Sequence, residues 1–355
     1  MHARVQLNSP FGDRTILDIR RSMWSLPEGE PELTLGQGMW AVPGLVDAHA
    51  HLAKDRMDFL PGDLDGAVER SRMALESGVM LALDKGWRDL TVVDLIDVVA
   101  EIERPDIETA GVMHASPGGY YDGFARIISS GQMEESVRMA AGESRGWVKL
   151  VGDWPRKGIG PQPNFSEEEL STAVVAAESV GARVALHTMA PDVPSMAVRA
   201  GVHSIEHGLF LTEGDLAAFG GRGGLLVPTI VQVEAIVAQL GAESSGGRLL
   251  LAGLENLVRL LPDALEAGVK VLTGTDLAVG SHDVAKEAVR LWEMGMSSTQ
   301  VLSAVSHDGL EATGRPSVFA PDTYANAVFF KANPLDDPAV LRFPELVVRH
   351  GRIVT

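Results

Sequence analysis

Eight short apolar runs, separated by longer amphipathic stretches, limit most strongly what this chain can fold into. The runs are Val42–Asp47, Val79–Asp84, Glu108–His114, Trp147–Val151, Val184–His187, Ser204–His207, Leu225–Pro228 and Val269–Thr273. Short apolar runs that alternate with helical segments are typical of parallel strands with both faces covered. Eight such repeats predict an α/β fold, a closed (β/α)8 TIM-like barrel. An open doubly wound sheet is the alternative, but the first strand lacks the Gly-x-Gly-x-x-Gly turn of that fold.

Several intervening segments carry helix start and stop signals. Ser166 and Glu169 form a capping box that opens a helix, and Gly181 closes it. Thr212 with Asp215 opens a shorter helix that ends at the Gly-Gly pair 220–221. The stretch Leu249–Glu266 has helical periodicity and is followed by Gly268. These signals support alternating strands and helices through the middle of the chain.

The two ends of the chain have a different pattern, with short strand-like stretches broken by Pro and Gly. They lie at Arg4–Leu7, Thr15–Ile19 and Glu32–Leu35 in the first part and at Ala327–Phe330 and Leu346–Val348 in the last. Neither end alone has enough apolar residues for a core. We therefore predict a small β-domain built from residues 1–41 and 316–355, beside a barrel of residues 42–315.

The charge and composition of the chain exclude several classes of binding partner. The 355 residues include 30 Lys and Arg against 48 Asp and Glu, a formal net charge of −18. Such a surface repels nucleic acid and anionic lipid, and no apolar run is long enough to span a membrane. The first residues lack the apolar core of a signal peptide, so we expect a cytoplasmic protein that acts on a small molecule. The sequence leaves the oligomeric state open, and a homo-oligomer is compatible with it.

A His-x-His pair closes the first predicted strand. His49 and His51 are separated by one residue, and side chains at i and i+2 of a strand point to the same face. The two imidazoles can therefore bind one ion together. The pair alone is weak evidence, because two histidines occur at this spacing by chance in many chains. Its position at the end of a barrel strand is what favours a functional role.

Three more candidate ligands follow later predicted strands. His187, His207 and Asp276 each stand at or just after a strand end, where barrel enzymes place their catalytic side chains. The chain has no cysteine, so a metal ion must use imidazole and carboxylate groups. Each residue alone could be a hydrogen-bonded core group. Together they predict a site for a zinc-like ion.

Lys149 lies in the fourth predicted strand, between apolar neighbours. A lysine buried in this way must lose its charge or find a partner, because burial disfavours the ammonium form. A neutral amine near a divalent ion can react with carbon dioxide to give a carbamate, an anionic bidentate ligand. The alternative is an ion pair of Lys149 with Asp276 or Asp153. Lys85 is a rival for the lysine role, although its Asp-Lys-Gly context is typical of an exposed turn.

In combination, these motifs resemble the amidohydrolase superfamily of metal-dependent hydrolases. The resemblance rests on Pro-Gly-Leu-Val-Asp-Ala-His-Ala-His-Leu (43–52), Val-Lys-Leu (148–150), Leu-His (186–187), Ser-Ile-Glu-His-Gly (204–208) and Thr-Gly-Thr-Asp (273–276), and it extends over essentially the whole chain. The residues of the motifs at 204–208 and 273–276 are most similar to those of the branch that contains imidazolonepropionases and prolidase-like peptidases. The ordered set is specific, whereas any single motif is not.

The resemblance implies a metal centre with two divalent ions, which we expect to be zinc. His49, His51 and Asp276 would hold one ion, His187 and His207 the other, and carboxylated Lys149 would bridge them. One ion with unmodified Lys149 is the alternative. Imidazolonepropionases lack the bridging lysine, so Lys149 favours the peptidase side of the branch. The deaminases of the superfamily carry a glutamate where this chain has Ala190, which argues against deamination.

Substrate contacts are harder to predict. His114 ends the third predicted strand and could bind the substrate carbonyl, or it could be a structural histidine. Prolidase-like members tend to have Gly-Gly-His after this strand, whereas here Gly-Gly precedes the pair Tyr120 and Tyr121, which could line the mouth. Arg156 and Lys157 could contact an anionic group, although such charges are more often solvated, and His282, shortly after Asp276, could reach the pocket.

The predicted reaction is hydrolysis of a carbon–nitrogen bond in an N-acyl amino acid, a dipeptide or a cyclic amide. Two ions that share a water molecule lower its pKa, so that hydroxide is available near pH 7. Asp276 would take the water proton and deliver it to the leaving nitrogen, while His114 or a tyrosine assists at the carbonyl. A lactone or ester hydrolase on the same site is an alternative, and a catalytically silent metal-binding scaffold is a third possibility.

Overall fold

The computed structural model describes residues 2–12, 14–53, 61–276 and 283–355. Its strands in chain order are β1 (Ala3–Asn8), β2 (Arg14–Arg20), β3 (Met23–Ser25), β4 (Leu33–Leu35), β5 (Trp40–Val42), β6 (Leu45–Ala50), β7 (Val79–Asp84), β8 (Asp106–Thr109), β9 (Met113–Ala115), β10 (Arg126–Ile127), β11 (Trp147–Val151), β12 (Asp153–Arg156), β13 (Gly160–Pro163), β14 (Arg183–Thr188), β15 (Ser204–His207), β16 (Leu225–Val227), β17 (Lys270–Val271), β18 (Ala327–Phe330), β19 (Leu346–Arg349) and β20 (Arg352–Ile353).

The α-helices of these ranges lie mainly between the strands of the central sheets. They are α1 (Leu64–Glu76), α2 (Thr91–Val98), α3 (Met133–Glu143), α4 (Glu167–Glu178), α5 (Val193–Ala200), α6 (Glu213–Gly221), α7 (Ile230–Leu240), α8 (Ser245–Glu266), α9 (Val284–Glu293), α10 (Ser298–Leu302) and α11 (Asp308–Ala312). A π-helical turn, Ser303–His307, joins the last two. None of the described helices combines the length and the apolar character that a membrane span needs.

The central strands form a closed parallel barrel. One sheet has the order β6-β7-β8 and the other contains β9-β11-β14-β15-β16-β17. A parallel bridge between Thr109 and Gly146 joins β8 to the start of β11. At the other seam, the amide of Ala48 in β6 donates to the carbonyl of Thr273, just after β17, at 2.8 Å. Backbone hydrogen bonds therefore link the two sheets at both seams, and the predicted TIM-like barrel is confirmed.

The third barrel strand is not the single run Glu108–His114 that the sequence predicts. It consists of β8 and β9, with three residues between them. Gly111 in this gap has φ of +65°, a left-handed conformation that interrupts an extended strand. The interruption lets Trp87 bridge to Val112, so the wall of the barrel continues across it.

The predicted helix signals act as expected at two positions. Ser166 and Glu169 form a reciprocal capping box at the start of α4. Thr212 and Asp215 form the same box at the start of α6, which ends at Gly221. Helix α8 begins at Ser245 rather than at Leu249, because the hydroxyl of Ser244 accepts from the amide of Gly247 and caps the helix earlier.

The two ends of the chain pair with each other beside the barrel. The order of one terminal sheet is β3-β2-β1-β4, and that of the other is β20-β19-β18-β5. Strand β5 comes from the first part of the chain and pairs antiparallel with β18 from the last part. A shared apolar cluster contains Val5, Trp24, Phe329 and Val348, all buried. The small β-domain therefore depends on both termini, as the sequence predicts.

Candidate metal centre and substrate cavity

The residues His49, His51 and Asp276 meet at one end of the barrel. The Nε2 atoms of His49 and His51 lie 3.5 and 3.2 Å from Asp276 Oδ1. One ligand atom from each of the three residues lies within 4.8 Å of the other two. The amide of Asp276 also donates to the carbonyl of His49 at 2.6 Å, which fixes the two chain segments side by side. This cluster has the donors and the spacing of one half of the predicted metal centre.

The Thr-Gly-Thr-Asp segment allows that close approach. A Cβ atom on Gly274 would lie 2.6 Å from Cβ of His49, closer than side chains tolerate, so glycine is needed here. Thr275 donates from its amide and its hydroxyl to the buried carboxylate of Asp47, at 3.0 and 2.6 Å. Asp276 itself has φ of +50°, a conformation that non-glycine residues seldom adopt. Strain of this kind is common at functional sites and turns the carboxylate toward the histidines.

His187 and His207 form the second imidazole pair. His187 Nδ1 and His207 Nε2 share a hydrogen bond of 2.9 Å, so each ring presents a nitrogen to the same part of the cavity. His207 has φ of +67°, so both it and the preceding Glu206 reach the inside of the barrel, although side chains normally alternate along a strand. A 2.7 Å hydrogen bond joins His207 Nδ1 to Thr229 Oγ1 and orients the ring.

Lys149 occupies an inward-facing position of β11. Its neighbours Val148 and Leu150 pack in the cluster between the strands and the helices, whereas Lys149 lines the cavity together with the histidines. Its amine is buried and has no hydrogen-bond partner in the described part of the chain. Neither Asp276 nor Asp153 forms the ion pair with Lys149 that the alternative required. Burial lowers the pKa of Lys149 to about 8, so a neutral amine is accessible near neutral pH.

This donor set fits divalent cations. Four imidazoles and one carboxylate line one cavity, beside the buried amine of Lys149, which has no hydrogen-bond partner among the described residues. Burial lowers the pKa of His49 to about 4 and that of His207 to about 3, so both rings are neutral near pH 7. Neutral imidazole is the form that binds metal ions. The residues present are therefore ready to act as ligands.

Two buried charged residues lie below this set: Glu206, for which the sequence predicts no role, and Lys85, which it places in an exposed turn. Glu206 Oε2 lies 2.7 Å from His49 Nδ1, and its other oxygen lies 3.3 Å from Lys85 Nζ. Ser204 also donates to that second oxygen at 2.6 Å. Lys85 is fully buried over the ring of Trp147, so the prediction of an exposed turn is wrong. The sequence does carry a signal for this pair, because Glu206 lies inside an apolar parallel strand. An ionised side chain in that position needs a partner of opposite charge.

A cavity of about 390 Å³ opens above the ligand set. Tyr120 and Tyr121 line it. His114 does not. In β9 it stands opposite Leu150, an outward-facing residue, while the preceding Met113 stands opposite Lys149 and lines the cavity. The interruption of the third strand places Met113 rather than His114 on the inner face, which corrects the predicted role of His114 at the substrate carbonyl.

The two predicted basic contacts also lie away from the cavity. Arg156 donates to the carbonyl of Gly118 and, at 2.8 Å, to Oδ1 of Asn164, so its guanidinium holds neighbouring loops together. Lys157 is exposed in the turn between β12 and β13. Neither residue is among those that line the cavity. His282, the remaining predicted contact, lies outside the described residues.

The sequence of this chain matches the model of the amidohydrolase family over residues 40–354. The chain belongs to the amidohydrolase family. The match includes every predicted ligand and the C-terminal strands β18, β19 and β20. Membership makes this protein a hydrolase that acts on carbon–nitrogen bonds, in agreement with the sequence prediction.

This amidohydrolase is similar to several individual proteins. An uncharacterised protein of Mycobacterium tuberculosis is 32% identical over 331 residues, which cover 90% of this chain and 86% of that protein. Ochratoxinase of Aspergillus niger is 24% identical over 249 residues, covering 67% of this chain and 52% of the enzyme. The solved structure of a Xaa-Pro dipeptidase with bound methionine superposes with a TM-score of 0.83 at 20% identity, over 99% of both chains. At that identity the superposition shows a shared fold.

Proposed function

We propose that this amidohydrolase hydrolyses the carbon–nitrogen bond of a small amide, such as an N-acyl amino acid, a dipeptide or a cyclic amide, with two divalent cations. The observation that carries this proposal is the position of Lys149. Its amine is buried without a hydrogen-bond partner among the described residues and lines the same cavity as four histidines and Asp276. A buried amine that makes no hydrogen bond is costly to retain in a structural role, whereas a bridging ligand accounts for it.

Each ligand has a distinct place in this proposal. His49, His51 and Asp276 would hold one cation, and His187 with His207 the other. The neutral amine of Lys149 would form a bond to carbon dioxide and release one proton, and the resulting anionic carbamate would be a further ligand for the cations. Zinc suits imidazole and carboxylate donors of this kind. When bound, the cations would polarise the substrate carbonyl and lower the pKa of the attacking water.

Asp276 is the group that moves the proton. Burial opposes its ionisation, but the neighbouring imidazoles of His49 and His51 outweigh that effect and keep the pKa of Asp276 well below its usual range. It is therefore ionised at neutral pH and can accept a proton from the attacking water. Delivery of that proton to the leaving nitrogen completes the hydrolysis, with the water oxygen retained on the acyl carbon. No covalent bond to the protein is needed.

Tyr120 is the residue best placed to assist at the developing oxyanion. It lines the cavity, and burial raises the pKa of its phenol above the usual value. The hydroxyl therefore stays protonated in the neutral range and can donate a hydrogen bond. Because His114 faces away from the cavity, the tyrosine takes the role that the sequence divided between the two.

The test is amine release from a panel of N-acetyl amino acids, dipeptides and lactams by protein purified without chelator and loaded with zinc and bicarbonate. We expect hydrolysis of at least one class, loss of activity after chelation and recovery when zinc is restored. Activity confined to lactones or esters would favour the alternative hydrolase. Absence of turnover on every class by fully loaded protein would leave the scaffold alternative and overturn the proposal.

A further inference from the structure

An arc of aromatic side chains runs along one side of the cavity, from one half of the metal centre to the other. The centroid of the Trp87 ring lies 6.0 Å from that of His51, and the centroid of the Trp154 ring lies 6.5 Å from that of His187. Between them, Phe124 lies 4.5 Å from Trp87 and 5.5 Å from Tyr120, which in turn lies 4.5 Å from Trp154. Successive rings are in contact at edge-to-face or tilted angles, which makes this a continuous surface.

We call the cavity-lining members of this arc, together with Tyr121, the aromatic wall: Trp87, Tyr120, Tyr121 and Trp154. They come from the segments that follow the second, third and fourth barrel strands. Tyr121 packs 5.1 Å from Tyr120 and 4.8 Å from Trp154, and it is 43% exposed. The wall therefore begins beside the ligands and ends at the mouth of the cavity.

Most of the residues that face the aromatic wall are aliphatic, although Gln232 and Gln239 of α7 also line the cavity. Helices α7 and α8 follow the seventh strand, which lies across an eight-stranded barrel from the third. They supply the aliphatic wall, which consists of Ile236, Leu240, Leu249 and Leu250. Leu240 is 51% exposed although it lines the cavity, so apolar surface reaches solvent at the rim. Exposed apolar surface beside a cavity is typical of a ligand-binding groove.

Charge is confined to the bottom of the cavity. Among the described lining residues the charged groups are Lys149, Asp153 and Asp276. Two of these are proposed ligands, and Asp153 lies 3.8 Å from His187. The two walls contribute no described charge, and the basic residues Arg156 and Lys157 lie off the lining. The space between the walls therefore suits a flat, uncharged group.

From these features we infer that the enzyme prefers amides that carry an uncharged aromatic ring next to the scissile bond, with the ring held between the aromatic wall and the aliphatic wall. This inference rests on the proposed hydrolysis at the same site, because the ring is placed beside the bond that is cut. The ring would lie in the cavity, and its binding would need no basic residue.

Two substrate pairs test the preference. N-benzoyl-alanine against N-acetyl-alanine places the ring on the acyl side, and N-acetyl-phenylalanine against N-acetyl-alanine places it on the amine side, with the carboxylate common to each pair. We expect kcat/KM to be about tenfold higher, or more, for the ring-bearing member of at least one pair, chiefly through a lower KM. Hydrolysis of all three compounds with equal kcat/KM would overturn the inference and leave the proposed function intact.

A substitution at the mouth of the cavity tests whether the preference for ring-bearing substrates arises from the aliphatic wall. Leu240→Asp places a charge in the aliphatic wall at an exposed position, so folding should be little affected, and it should reduce the ratio of ring-bearing to methyl substrate about tenfold. Leu251→Asp is the matched control. Leu251 lies on α8 and, like Leu240, is exposed, but it does not line the cavity. An unchanged ratio in Leu240→Asp, or an equal fall in both variants, would contradict the proposed walls.

Binding measurements separate this inference from the proposed reaction. Titration of the zinc-loaded protein with benzamide and with acetamide, followed by tryptophan fluorescence, reports the ring preference without turnover. Tighter binding of benzamide that is lost in Leu240→Asp supports the inference even if no amide is hydrolysed, an outcome that would overturn only the proposed function. Equal binding of both amides counts against the inference.

Discussion

His49 Nδ1 lies 2.7 Å from Glu206 Oε2, directly below the metal-ligand set. A carboxylate in this position favours a proton on Nδ1, which leaves the lone pair of Nε2 directed toward Asp276 and the cation site. Lys85, 3.3 Å from the other carboxylate oxygen, supplies the positive charge that helps to keep the pKa of Glu206 well below its usual value despite complete burial. The chain of Lys85, Glu206 and His49 therefore holds one ligand in its metal-binding form.

Replacing Glu206 should weaken metal binding without removing a ligand. We expect Glu206→Gln to lower zinc affinity about 10- to 100-fold, the range found for partners of ligating histidines. Because the single variant leaves Lys85 buried without its counter-charge, the double variant Lys85→Met with Glu206→Gln is the better test of positioning. Competition with a zinc-binding dye measures the affinity, and Glu178→Gln at the surface is the control. A double variant that folds and binds zinc as tightly as the parent would refute the positioning role.

Asp276→Asn should separate metal binding from turnover. The amide oxygen can still act as a weak ligand, but it cannot accept the proton of the attacking water. We expect the variant to retain much of its zinc and to lose about two to four orders of magnitude in kcat on the best amide. Metal analysis and amine release on the same preparation provide both numbers. Near-parental turnover with zinc bound would show that another group moves the proton.

Glu287 should make stability depend on pH. It is 2% exposed and accepts from the amides of Ile230 and Val231, at 2.7 and 3.0 Å, which places it at the start of α7. Burial raises its pKa from 4.5 to about 7 against the effect of these two amides, and the nearby charges of Glu234 and Asp47 act in the same direction as burial. The folded state thus binds this proton more tightly than the unfolded state does.

The direction in which stability changes with pH follows from this difference in proton affinity between the folded and unfolded states. The contribution of Glu287 is most favourable below pH 4.5 and declines as pH rises to about 7, by about 3 kcal/mol in total. Urea unfolding at pH 4.5 and pH 7.5 should show that the parent loses about this much more stability than Glu287→Gln over the same interval. Glu168→Gln, an exposed carboxylate in α4, should behave like the parent. Equal pH dependence in the parent and Glu287→Gln would contradict the raised pKa.

Much of the architecture follows from local sequence patterns. Strand ends at His187 and His207 and the His-x-His pair could be predicted because apolar periodicity and strand alternation are local properties. The bridging position of Lys149 stays a prediction, but its inward orientation follows from the same alternation. Capping boxes such as Ser166 with Glu169 are equally local.

Features that depend on distant partners could not be predicted in this way. The role of Lys85 depends on Glu206, more than a hundred residues later, so its surroundings in sequence resemble an exposed turn. The sequence places His114 at the cavity because it does not reveal the interruption at Gly111, which shifts the residues of the third strand that face inward. The aromatic wall is assembled from three separate segments and has no motif of its own.

The stoichiometry of bound zinc tests the central claim most directly, namely that Lys149 joins two cation sites into one centre. Protein purified without chelator and saturated with zinc and bicarbonate is analysed for zinc per chain, with Lys149→Met prepared in parallel and Lys157→Met as the exposed control. We predict two zinc ions per chain in the parent and in Lys157→Met, and at most one in a folded Lys149→Met variant. A parent that binds one ion, or a Lys149→Met variant that keeps two, would contradict the account.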